Sequence, residues 1–179
     1  MGAPSLSDLS LFEQKVIVGV GGLAVSTNRG ERITTYSLGS CLGITIYDPV
    51  SRAGGMLHAM LPDSSINAAK AASQPGMFID SGLPALFRAA YKIGLDKTRV
   101  RICVVGGAQI LDQGGFFNIG VRNYEMLKKI LNEHGLAIEA EEVGGLVSRT
   151  VSLNIATGEV RLKTSGQASE TVLTKGYLS

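Results

Sequence analysis

Gly39-Ser40-Cys41-Leu42-Gly43-Ile44-Thr45-Ile46-Tyr47-Asp48-Pro49, followed by Gly54-Gly55-Met56-Leu57-His58-Ala59-Met60-Leu61-Pro62, is the stretch on which the reading of this chain turns. Leu42, Ile44 and Ile46 alternate with Cys41, Gly43, Thr45 and Tyr47, the two-residue period of a strand with two distinct faces. Asp48-Pro49 signals a turn, because proline presets φ at the first central turn position. A second strand is expected over residues 53–61, where Pro62 stops it. With a turn centred on Pro49-Val50, the two strands form an antiparallel ribbon in which Cys41 stands directly across from His58, Cβ atoms roughly 5 Å apart. A bulge over residues 51–55 would make that contact diagonal. On this reading Cys41, Gly43 and Thr45 leave one face lightly packed, while Leu42, Ile44 and Ile46 fill the other.

Working outward, residues 16–20 and 33–38 read as earlier strands. Beyond the ribbon the period changes to that of a helix over residues 78–93, with Ile79, Leu83, Leu86, Ala90 and Ile93 on one stripe and Gly94 as a stop. Residues 101–105 form a short buried strand ending at Gly106-Gly107. Residues 123–134 form a helix whose apolar face is Met126, Leu127, Ile130 and Leu131, ended by Gly135. Strands are expected at 137–143, 149–155 and, after the Thr157-Gly158 turn, 160–163. Strands and helices mix without a strict βαβ rhythm, which favours an α+β fold, a layered sandwich of mixed β-sheets covered by helices, over a doubly wound sheet. We expect one domain over residues 1–179, with loose tails at 1–13 and 164–179.

Composition narrows the function. A chain of 179 residues can remove roughly 70% of its unfolded surface from water, enough for a core without staples. Seventeen basic against fifteen acidic residues, spread along the chain, argue against a nucleic-acid partner. Two cysteines make neither a disulfide framework nor a four-thiolate zinc site, and no metal or cofactor is expected. No apolar run approaches the ~20 residues of a membrane span, and Met1 to Ser10 does not read as a signal peptide. The expected location is a reducing cytoplasm, where a thiol stays a thiol.

Two histidines exist, in different settings. His134 ends a helix, where an imidazole can meet the last carbonyls. His58 sits inside a strand, where an imidazole has a chemical use opposite a thiol. A free thiol has a pKa near 8.5, and an adjacent imidazole can lower it or act as its base. The sulfur then attacks a carbonyl carbon and the imidazolium protonates the leaving group. Amides of Gly39, Ser40 and Cys41 at a tight glycine turn could stabilise the oxyanion. Thr35 and Ser37, six and four residues before Cys41, are candidates to orient the imidazole. The competing reading is that a strand cysteine is a small core residue. Cys103, between Ile102 and Val104, fits that bland role.

The motif Thr35-Tyr36-Ser37-Leu38-Gly39-Ser40-Cys41-Leu42-Gly43, then Tyr47-Asp48-Pro49, then residues 54–62, resembles the CheD family of chemoreceptor glutamine deamidases. Asp80, Gly106-Gly107-Ala108, Asn118-Ile119-Gly120, Arg122-Asn123, Gly144-Gly145, Arg149 and Gly158 extend the resemblance over about residues 15 to 163. It implies conversion of selected receptor glutamines to glutamates by a thiol mechanism. Catalytic roles fall on Cys41 and His58, and a third on Thr35 with Ser37 as second choice. It also implies a layered α+β sandwich, the receptor's cytoplasmic region as substrate, and a CheC-type phosphatase as partner. Cys103, Glu142-Val143 and Leu146-Val147 depart from the family pattern. Two other readings stay beside this one: a glutamyl methylesterase, since the same thiol could cleave esters, and a regulatory binding module in which the cysteine is unused.

Overall fold

Both strands of the ribbon, β4 (Leu42–Asp48) and β5 (Ala53–Ala59), are buried at every position, so both faces of their sheet are covered. The computed structural model describes residues 13–110 and 117–177, and in it the ribbon lies at the middle of a sheet ordered β2-β5-β4-β6-β7. Here β2 is Leu23–Ser26, β6 is Arg101–Gly106 and β7 is Ala140–Val143. A second sheet is ordered β1-β3-β8-β9-β10, built from Gln14–Ile17, Glu31–Leu38, Arg149–Asn154, Val160–Thr164 and Thr171–Thr174. Each sheet contains one parallel pair, β1 with β3 and β6 with β7, among antiparallel neighbours.

The alternation in β4 sorts its side chains between two cores. Leu42, Ile44 and Ile46 pack with Leu57 against helices α2 (Ile79–Lys92) and α3 (Ile119–Glu133). Burial of each such side chain contributes about 1.5–3 kcal/mol. Tyr47, with Cys41 at the edge, joins Met56, Ile33, Leu38, Val151 and Leu153 between the two sheets. The architecture is therefore three layers, helices on sheet on sheet, an α+β sandwich as expected. The helices cover one sheet only.

The face carrying Cys41, Gly43 and Thr45 is not lightly packed: it meets the second sheet. A Cβ on Gly43 would lie 2.7 Å from a Leu38 methyl and 3.0 Å from one of Val151, so close sheet packing demands glycine there.

The ribbon's register also differs from the expected one. His58 pairs with Gly43, and Asp48 with Ala53, which puts four residues, 49–52, in the loop. Arg52 adopts a left-handed φ of 56° and donates its N–H to the Asp48 carbonyl at 2.8 Å. The Asp48 carboxylate accepts from Val50 N at 2.9 Å. The turn is thus centred on Val50-Ser51, and Cys41 lies diagonal to His58 on the same face of the ribbon.

Elsewhere the helix α3 begins earlier than its apolar period suggested, and two short elements, β2 and α1 (Ala68–Ser73), had no visible period. Every residue of α1 is free of the core, and its start is capped by Asn67. The segment after residue 164, expected as a loose tail, instead returns as β10 on the edge of β9. Arg101 ties it down, through hydrogen bonds to Thr174 Oγ1 and the Lys175 carbonyl. The other expected tail, residues 1–13, lies outside the described residues except for Glu13. No helix among the described residues is long and apolar enough to cross a membrane.

Candidate active site

His58 projects from β5 into the layer between the sheets and is 3% exposed. Its backbone is fixed on the other edge by the loop before β2: His58 N donates to Gly22 O at 3.0 Å and Gly21 N donates to His58 O at 2.8 Å. Thr35 reaches the ring from the opposite sheet, with Oγ1 2.7 Å from Nδ1. The Thr35 hydroxyl donates its own proton to the Val18 carbonyl at 2.6 Å. A hydroxyl has one proton, so towards the ring it can only accept. Nδ1 therefore carries the hydrogen, and Nε2 presents a lone pair. Among the described residues that buried Nε2 has no hydrogen-bond partner.

Cys41 sits just before β4, half-buried, at the edge of the same inter-sheet core. The residue directly across from His58 is Gly43, which offers no side chain. The imidazole can thus lean toward its diagonal neighbour, Cys41, a separation of about 7–8 Å between backbones that long side chains span. Three contacts hold the backbone of residues 39–41. Gly107 N donates to Cys41 O at 2.9 Å, and Ala108 N donates to Gly39 O at 2.8 Å. Asn123 Nδ2 donates to Ser40 O at 3.0 Å. Gly106, at φ 116°, has the Cys41 carbonyl where a Cβ would stand, so only glycine allows β6 this close.

Burial pushes the His58 imidazole below its ordinary pKa, partly offset by the Val18 carbonyl, and pushes the Cys41 thiol up, partly offset by its own backbone N–H. Burial thus favours the neutral form of each group. An adjacent imidazole was expected to lower the thiol pKa; desolvation acts the other way on the sulfur and disfavours both charges. Cys103 is 2% exposed, and burial first, then Glu139, pushes its thiol up to about 11. It is a core residue.

Gly39, Ser40 and Cys41 line one wall of a cavity of about 460 Å³, with Ser37 at its edge and Ala108, Gln109, Ile110, Phe117, Ile119 and Gly120 opposite. Ser37 is exposed and has a left-handed φ of 55°, where a bulge interrupts the pairing of β3 with β8. It stands at the cavity rim, and Thr35 alone of the two meets the imidazole. A second cleft, of about 240 Å³ between α2 and α3, contains no thiol, and its His134 ring is engaged with the Ile130 carbonyl at 2.8 Å. Among the described residues no group of His, Cys, Asp and Glu is placed to hold a metal ion.

Asn123 is the site residue that strand-and-turn reasoning passed over. It is wholly buried, and its Nδ2 bridges Ser40 O and Met60 O at 3.0 and 2.9 Å. Its signal is a polar side chain on the inward stripe of a helix, four and eight residues before Leu127 and Leu131.

Comparison with known proteins shows the family. The family model described as CheD chemotactic sensory transduction matches residues 60–164. A Syntrophus aciditrophicus protein named probable chemoreceptor glutamine deamidase CheD 1 is 46% identical over 84% of this chain and 94% of its own length. Proteins named probable chemoreceptor glutamine deamidase CheD from Solibacter usitatus and Pyrococcus horikoshii are 42% and 38% identical, each over 89% of this chain and over 94% and 99% of their own lengths. A solved structure of a Neisseria meningitidis protein of the family model DUF152 aligns with a TM-score of 0.41 at 13% identity, over 73% of this chain and 58% of that one, a likeness that bears on neither fold nor function. By its matched family model and by relatives that align along nearly their whole length, this chain belongs to the CheD family.

Proposed function

We propose that this chain is a protein-glutamine deamidase that converts glutamine side chains of chemoreceptors to glutamate, with Cys41 as nucleophile, His58 as base and Thr35 as the group that fixes the imidazole. The observation that carries the reading is the chain of two hydrogen bonds from His58 Nδ1 through Thr35 Oγ1 to the Val18 carbonyl. Among the described residues it leaves the Nε2 lone pair without a partner, on the face of the ribbon that also carries Cys41. The names of the relatives supply the substrate.

The steps follow from a neutral pair. As the Cys41 sulfur adds to the glutamine carboxamide carbon, its proton passes to His58 Nε2, and amides of Gly39, Ser40 and Cys41 receive the developing oxyanion. The imidazolium then gives that proton to the departing ammonia, leaving a thioester. Water, deprotonated by the same Nε2, adds to the thioester, and the imidazolium gives the proton taken from water to the departing sulfur, which releases glutamate and restores the thiol. Only the neutral imidazole can start the cycle, so burial that lowers its basicity also keeps it ready near neutral pH.

The substrate side is the cavity beside Cys41, with Phe117 exposed at its mouth. Leu146 and Val147 are also exposed, in a loop that Gln109 holds through its N–H to Gly145 O at 2.9 Å. We assign this rim to the receptor's cytoplasmic signalling region and, in regulation, to a CheC-type phosphatase. That assignment places the whole chain, as one deamidase domain, in the cytoplasm.

Incubation with receptor signalling fragments, read by mass spectrometry, tests the proposal. Single-dalton gains at specific glutamines are expected with the parent protein and none with Cys41→Ala, whose melting temperature should stay near the parent's. Gains retained in Cys41→Ala, or absent with both proteins, would reject it.

A further inference from the structure

The mechanism leaves one buried polar side chain at the site without a role. Asn123 lies on α3, fully enclosed, and its carboxamide nitrogen donates to two carbonyls at once. Those carbonyls belong to different arms of the ribbon: Ser40 immediately precedes Cys41, and Met60 lies two residues beyond His58. The ladder of β4 and β5 ends at the pair Leu42–Ala59. Past it the arms turn to other partners, Cys41 O accepting from Gly107 N and Met60 N donating to Met77 O. Asn123 spans the opening between them. Among the described residues its Oδ1 has no partner, so the side chain is held there by its donors alone.

The direction of the Ser40 carbonyl matters more than its satisfaction. The peptide from Ser40 to Cys41 is trans and planar, so its C=O and N–H point opposite ways. Fixing Ser40 O against Asn123 fixes where Cys41 N–H points, and that N–H lies against the Cys41 sulfur. We infer that Asn123 is a positioning residue: by gripping the Ser40 carbonyl it aims the Cys41 amide at the oxyanion formed when the sulfur adds to a carbonyl carbon. The inference rests on the reading of Cys41 as an acyl-transfer nucleophile, but not on which amide is the natural substrate.

Two small reagents separate this role from a merely structural one. p-Nitrophenyl acetate acylates the thiol through a tetrahedral oxyanion: the sulfur bonds to the acetyl carbon, its proton passes to His58 Nε2, and p-nitrophenolate leaves. Iodoacetamide alkylates the same sulfur by direct displacement of iodide, with no oxyanion. Both rates are measured on the full chain, located to Cys41 by mass spectrometry and expressed per natively folded molecule from circular dichroism. In Asn123→Ala, acylation should fall about 30-fold, somewhat less than loss of an oxyanion donor outright, while alkylation stays within about threefold. Asn123→Ser should behave alike and serves if the alanine variant does not fold.

Acylation unchanged in these variants, or acylation and alkylation falling in the same proportion, would overturn the inference. So would a parent protein acylated no faster at Cys41 than at Cys103. Acylation at Cys41 that depends on Asn123, together with no deamidation of receptor fragments, would uphold the positioning role and reject the glutamine reading.

Discussion

The β4–β5 ribbon has two buried polar ends built in opposite ways. At the closed end the Asp48 carboxylate, wholly enclosed, accepts from Val50 N and Asp96 N, both at 2.9 Å, and from Arg99 Nε and Nη2 at 3.1 and 2.7 Å. Burial works to raise its pKa, but the Arg99 guanidinium and the amides of Asp96 and Val50 prevail and hold the carboxyl well below the usual carboxylate range. At the open end His58 Nε2 and Asn123 Oδ1 are equally buried, yet neither has a partner among the described residues. A buried group with its full set of partners holds shape; a buried lone pair with none is a base awaiting a proton. On the proposed mechanism, the ribbon is anchored at one end and reactive at the other.

Substitutions should separate the two ends, one moving rate and the other stability. His58→Gln should lower the rate of ammonia release from receptor fragments about 1000-fold, the scale of a lost general base, with urea stability little changed. A rate within tenfold of the parent's would remove His58 from the chemistry. Asp48→Ala should do the reverse, costing about 3–5 kcal/mol in urea unfolding because Arg99 and two amides lose a buried partner, with kcat/KM per folded molecule unchanged. Arg99 is 37% exposed and can turn to water, which favours the lower end of that range. The folded carboxyl holds its proton less tightly than the unfolded one. The closed end's contribution is therefore present above pH ~4 and is lost as pH falls through the folded value.

Thr35→Val joins the two effects in smaller measure. It removes the hydroxyl that fixes the imidazole but keeps its shape, so kcat should fall about 10- to 100-fold, as for other groups that orient a reactive histidine. The Val18 carbonyl and Nδ1 lose their partner as well, which costs about 1–3 kcal/mol of stability. A variant with the stability loss but full kcat would make Thr35 a purely structural contact.

Much of the open end was legible from residues 35–62. The two-residue period put Cys41 and His58 on one face, and the observed slip of two residues preserves that face where a slip of one would not. The strand order, the second sheet and the layer where the site lies depend on contacts between distant segments and leave no local trace. The register slipped because Pro49 looked like the turn's centre, whereas Arg52, a residue with no turn preference, closes the loop in a left-handed conformation. The electrostatic sign was missed for a related reason. Adjacency of thiol and imidazole predicts an ion pair, but the second sheet packed over them removes the water that would support it. β10 has four residues and exposed or half-buried positions, too little pattern to distinguish from a tail.

The proposed mechanism needs His58 to rest as a neutral imidazole with its proton on Nδ1 and an Nε2 left free to take the thiol's proton, and ring nitrogen-15 NMR of the labelled full chain reads that state directly. At pH 7 we expect a protonated Nδ1, an unprotonated Nε2, and a titration midpoint below the usual histidine value that falls further in Thr35→Val, because the hydroxyl accepting from Nδ1–H stabilises the imidazolium. A proton on Nε2, or an imidazolium paired with a Cys41 thiolate at that pH, would contradict it.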